Sequence, residues 1–129
     1  MTTLFISHPA AVDHEGPPGH PERPDRLRAI ERMLEASSDL ELERVKAPLA
    51  DIEAIARVHP VAHIERVRKA EPETGIAGID ADTYLSPGSF EVARRAAGAA
   101  ILAVDKVLEG EAANAFCAMR PPGHHAEQD

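Results

Sequence analysis

The stretch "NAFCAMRPPGHHAE" (Asn114–Glu127) joins an apolar run to a stiff turn and a pair of adjacent histidines. "NAFCAM" is long enough for a buried strand. Pro121 and Pro122 restrict the backbone that follows, and Gly123 permits angles that other residues resist. Such a turn can fix His124 and His125 at a pocket floor. Histidine has its proton equilibrium near physiological pH, which suits general acid–base work. Neighbouring residues point in different directions, so one ring can face a reacting group while the other is held from behind. The plainer alternative is a solvated His-His in a frayed terminus.

Reading outward, the segment before this strand predicts the longest helix. Ser86 can cap it, Pro87 suits its first position and Gly110 can close it. Ala93, Ala97, Ala100, Val104 and Val107 form its apolar stripe. The small residues "AAGAA" (96–100) predict close packing on a flat surface such as a sheet. At the other end, "TLFIS" (Thr3–Ser7) reads as a buried strand, followed by a Pro/Gly/His-rich loop too irregular for regular structure. Pro24 suits the first position of a helix carrying Leu27, Ile30 and Leu34 at helical spacing. "LERVKAP" is a weaker strand. "LADIEAIARVH" and "VAHIERVRKAE" read as two short helices broken at Pro60.

The order β-α-β-α-α-α-β favours an α/β fold with a parallel sheet, and no internal boundary divides residues 1–129. Open α/β sheets bind ligands beyond the C-terminal ends of their strands, which is where His124 and His125 fall.

Composition narrows the partners. Only 3% of the residues are aromatic while 43% are hydrophobic, so the core is built from Ala, Val, Ile and Leu. Fourteen basic and 22 acidic residues give a net charge of −8, which argues against a nucleic-acid partner. The acidic surface is compatible with a lysine-rich substrate and equally with simple solubility. Cys117 is the single cysteine, so no disulfide framework exists. It reads as strand packing rather than a thiolate. "MTTLFISHPA" has neither a basic leader nor a membrane-length apolar run, and the chain reads as cytoplasmic.

Three segments together resemble the zinc-dependent histone deacetylase family, including its bacterial acetoin-utilisation and acetylpolyamine relatives. "RPPGHHAE" (Arg120–Glu127) is similar to that family's active-site segment, and "GHPERPDRLRAI" (Gly19–Ile30) to its first helix start. "DTYLSPGSFEVARRAAGA" (Asp82–Ala99) resembles its loop and long helix before the histidine strand. All three occur in the family's order and spacing, and the wording leans toward bacterial and class II-like members.

The resemblance implies the N-terminal part of the arginase/deacetylase fold, and hydrolysis of an N-acetyl amide on a lysine, a polyamine or another small amide. It implies that a zinc ion activates water, that His125 is the general base, and that His124 lies deeper and tunes the site. It implies that Asp82 binds substrate amides at the rim and that Arg26 lines an internal channel. Asp80 or Asp82 could instead be turn residues, Arg26 a surface cation, and "HPERP" mainly a helix start.

Family members run well over twice this length. Their zinc ligands, an Asp-x-His pair and a further aspartate, fall after Asp129, as does an oxyanion-binding tyrosine that Tyr84 cannot replace. The chain is therefore expected to be an inactive fragment without tightly bound zinc. Its last strand would lack its family neighbour and leave an edge open to self-association. A non-catalytic binding module and a metal-independent hydrolase are the alternatives. His59 and His63 are separated by a helix break, and His8, His14 and His20 lack a matching ligand cluster, so none is assigned to a metal.

Overall fold

The computed structural model describes residues 2–128. Three parallel strands form the sheet: β1 (Thr3–Ser7) lies between β2 (Leu42–Lys46) and β5 (Asn114–Ala118). Thr3 pairs with Leu42 on one side and Asn114 on the other, and Ser7 with Lys46 and Ala118. The central position explains the unbroken apolar run of β1, because both faces of this strand are covered. Leu4 and Ile6 pack with Ala47, Ala99 and Ala112, whereas Phe5 packs with Ala11, Leu27 and Ala118. A lateral row crosses the Phe5 face. The Arg44 guanidinium sits 4.9 Å from the Phe5 ring, and Phe116 stacks on its other side at 6.0 Å.

Helix α1 (Asp25–Ala36) starts after Pro24 and lays Leu27, Ile30 and Leu34 on the Phe5 side of the sheet. Short helices α2 (Ile52–Ala56) and α3 (Val61–Ala70) flank Pro60, as the sequence predicts. Two features lie in segments read as loop. Pro9–Val12 forms a turn of 3-10 helix, with the His8 Nδ1 accepting the Ala10 N–H at 3.1 Å. Strands β3 (Ala77–Gly78) and β4 (Tyr84–Leu85) make a small antiparallel pair, too short to leave a periodic signal.

Helix α4 (Ser89–Leu108) departs from expectation at its start and along its face. Ser86 does not cap it. Pro87 and Gly88 instead form a turn in which the Ser89 N–H donates to the Ser86 carbonyl at 3.0 Å. Gly88, at φ 86°, supplies the left-handed conformation that such a turn requires. The cap comes from afar, the Glu71 carboxylate accepting the Phe90 N–H at 2.7 Å.

The buried face of α4 carries Val92 and Ala99 with Leu102 and Ala103 packed alongside, not the predicted alanine–valine stripe. Val104 is 56% exposed and Leu108 80%. Arginines set this rotation. Arg94 donates to the Ala50 carbonyl at 2.8 and 3.1 Å, and Arg95 to the Ala47 carbonyl at 3.0 Å, drawing their side of the helix against the segment after β2. Gly98 meets that segment rather than the sheet, and a Cβ there would stand 2.1 Å from the Pro48 carbonyl oxygen.

Strand β5 is an edge rather than a buried strand. Asn114, Phe116 and Cys117 are exposed, and no described strand lies beyond it. Cys117 is therefore not core packing, although partial desolvation still pushes its thiol pKa up and away from thiolate chemistry.

Two outcomes follow from this packing. Gly98→Ala gains helix propensity yet should destabilise the chain by about 1–3 kcal/mol in urea unfolding, because rigid backbone blocks the new methyl. A neutral or stabilised variant would show the contact to be soft. At micromolar concentration the isolated chain should self-associate through β5, and Phe116→Lys should reduce this in light scattering. A monodisperse wild-type monomer with a high melting temperature would refute the exposed-edge argument.

Candidate functional site

The strand order gives the site its place. From central β1 the chain moves outward to β2 on one side, and it returns to β5 on the other. Loops leaving the C-terminal ends of β1 and β5 therefore meet at a switch point, where side chains converge without crossing the sheet. The β1 loop brings His14, His20 and Glu22, and the β5 loop brings Arg120 and the histidine turn.

Arg120 joins these two loops. It has no solvent exposure. Its Nε and Nη2 donate to the two carboxylate oxygens of Glu22 at 2.6 and 2.9 Å, and its Nη1 to the carbonyls of Ala11 and His14 at 2.8 and 2.7 Å. Burial alone would raise the Glu22 pKa. The Arg120 hydrogen bonds and charge outweigh it and hold the carboxyl below its ordinary value. Arg26 adds a contact at 3.1 Å to the same carboxylate.

Buried His14 packs beside this pair, its Nδ1 2.6 Å from the Ser89 Oγ at the start of α4. Desolvation and then the nearby Arg120 charge lower its pKa, against a smaller opposing pull from Glu22.

Above the pair lies a pocket of about 80 Å³ lined by His20, Asp82, Tyr84, Pro121, Pro122, His124 and His125, among others. The His20 Nε2 stands 2.9 Å from Asp82 Oδ1, and the His125 Nε2 3.7 Å from Asp82 Oδ2. The rings of His124 and His125 lie 4.4 Å apart and tilted by 44°. Asp80 accepts the Asp82 backbone N–H at 2.8 Å, and this bond lowers the Asp80 pKa. Of the two neighbouring aspartates, Asp80 shapes the turn and Asp82 faces the histidines.

The structure thus brings His124, His125 and Asp82 together. Arg26 is not among the residues lining this pocket, and its guanidinium pairs with Glu22. Both histidines of the pair are exposed, on the turn that follows edge strand β5. "HPERP" does more than start α1, since His20 and Glu22 bind residues 62 and 98 positions away. The charged residues flanking its prolines were the available signal. His59 and His63 stack at 5.2 Å, and Arg66 donates to His63 at 2.8 Å. Among the described residues no group of three or more His, Cys, Asp or Glu is placed to hold a metal ion.

The lowered pKa values of the two buried or half-buried groups, His14 and Glu22, set an acid sensitivity. His14 binds a proton more readily in the unfolded chain, so its contribution is complete above about pH 6.5 and declines as pH falls below that value. Glu22 adds a second loss as pH falls through its lowered folded pKa. Stability measured by urea unfolding should therefore fall in two stages on acidification. His14→Gln should flatten the first stage and leave the second. An unchanged slope between about pH 5 and 7 in this variant would refute the assignment.

Residues 20–129 match the Histone deacetylase domain. The chain is 43% identical to the histone deacetylase-like amidohydrolase of Pseudomonas aeruginosa over 126 residues, covering 97% of this chain and 31% of that protein. It is 37% identical to a probable deacetylase of Archaeoglobus fulgidus, covering 98% and 36%. Human polyamine deacetylase HDAC10 shares 33% identity over 83% of this chain and 17% of its own length. The crystal structure of the HDA15 HD domain superposes with a TM-score of 0.87 at 28% identity, over 99% of this chain and 38% of that one. The chain spans about a third of the length of the Pseudomonas and Archaeoglobus relatives. With that family's domain matched over most of this chain's length, the chain belongs to the histone deacetylase family and carries an incomplete arginase/deacetylase fold.

Proposed function

We propose that this chain forms the acid–base and substrate-positioning part of an amidohydrolase acting on N-acetyl amides. The observation that carries this reading is the convergence of His124, His125 and Asp82 at the sheet's switch point. In the reaction a water oxygen bonds to the acetyl carbon and the carbon–nitrogen bond breaks, releasing acetate and an amine. His125 takes a proton from the water through Nε2 and returns one to the departing nitrogen. His124, in ring contact with it, tunes the charge His125 can carry. Asp82 accepts a substrate N–H at the rim, and Arg26 belongs to the internal channel on the same reading.

Carbonyl polarisation and water activation are what zinc supplies in metallohydrolases. The described residues of this chain offer no cluster for that ion. The net charge of −8 is compatible with an acetylpolyamine, whose remaining amines are cationic, or with an acetyl-lysine among other lysines. No described helix is long and apolar enough to cross a membrane. A cytoplasmic setting is our reading of the single cysteine, which fits a reducing compartment.

The isolated chain should not deacetylate an acetyl-lysine reporter, with or without added zinc. General acid–base catalysis contributes only about 10²–10⁴-fold, well short of what amide hydrolysis demands. A domain completed by the downstream part of the family fold should be active. In it, His125→Ala should cut turnover by about 10²-fold or more while zinc stays bound. Robust activity from the short chain would overturn the division of labour, and an inactive completed domain would overturn the deacetylase reading.

A further inference from the structure

The hydrogen bonds around His20 orient its ring. The His20 Nδ1 stands 3.1 Å from the Glu22 backbone N–H and 3.3 Å from the Glu22 carbonyl oxygen, and the shorter contact favours Nδ1 as the acceptor. The proton of the neutral ring then sits on Nε2, which faces Asp82 Oδ1 at 2.9 Å. The ring is held edge-on against Tyr84, with centroids 5.7 Å apart. Tyr84 is itself fixed by donating to the Ala81 carbonyl at 3.0 Å. His20 is thus a donor of fixed direction, oriented by backbone on one side and an aromatic ring on the other. Its target carboxylate stands on a loop tip, exposed, with its other oxygen turned to His125.

We infer that His20 is a positioning residue: its Nε2–H holds the Asp82 carboxylate so that Oδ2 stays directed into the pocket beside His125. This rests on the reading of Asp82 as the substrate-binding carboxylate. An unrestrained aspartate on an exposed tip would sample several rotamers, and ordering it in advance lowers the cost of binding. His20 acts through Asp82 and touches no reacting atom. Its loss therefore weakens substrate capture more than the chemical step.

The test has a spectroscopic arm and a kinetic arm. In the full chain labelled with ¹⁵N-histidine, NMR should find His20 as the Nε2–H tautomer, and an Nδ1–H tautomer would overturn the inference. In a domain completed by the downstream part of the family fold, His20→Ala should raise KM about tenfold and change kcat by less than about threefold. His20→Gln, which keeps a donor near the Nε2 position, should recover most of that loss. The double variant His20→Ala/Asp82→Ala should be no worse than Asp82→Ala alone, because the two act through one contact. Additive losses, or a Gln variant no better than Ala, would show only a structural role and sink the proposal. A KM unchanged in Asp82→Ala would remove the underlying reading of Asp82, and with it this role for His20.

Discussion

The Arg120 guanidinium, sealed from solvent, is the one charge on which the assembly of the site depends. Taking an ion out of water costs several kcal/mol, and the cost is offset only when geometry and hydrogen bonding are both complete. Here a bidentate carboxylate and two backbone carbonyls take up four directed contacts. Among the described residues no buried side-chain nitrogen or oxygen lacks a partner. Lysine could not reproduce this fork, because its point charge has no planar pair of donors to match Glu22. The contact spans 98 positions of sequence and pins the turn after β5 onto the loop after β1. Residues on those two loops then share one pocket.

From that junction the chemistry is layered. Glu22 and Arg120 form the closed floor, with His14 bound to Ser89 beside them. Above, His20 steadies Asp82, which faces His125. Buried charges thus hold the loops, while groups that can exchange protons remain exposed at the mouth. The division suits catalysis, since a general base must reach its water whereas its scaffold must not move.

Much of the fold was legible because local pattern and tertiary role agree. The run Leu4–Ile6 is apolar on both faces since β1 is central, and Pro60 separates two helices as its missing N–H requires. Patterns failed where small or charged residues decide packing. Alanines on α4 fit either face, so the arginine bonds to Ala47 and Ala50 settled its rotation, and the predicted Val104 side was left in solvent. Cys117 looked like core because composition cannot tell an edge strand from an inner one. The histidine pair and Asp82 were visible through family wording. His20, Glu22 and Arg120 lie in the same family-like segments, but their contacts were not legible, since periodicity speaks only of neighbours along the chain and their partners lie far off in sequence.

The Glu22–Arg120 contact couples the two loops rather than merely occurring between them. A double-mutant cycle with Glu22→Ala, Arg120→Ala and both together, read by urea unfolding at one fixed protein concentration, tests it most directly. A coupling energy above about 1 kcal/mol is expected, within the ~0.5–3 kcal/mol range of residues in one network. Losses that add to within about 0.5 kcal/mol would contradict it, because two independent side chains cannot be the junction on which the site is built.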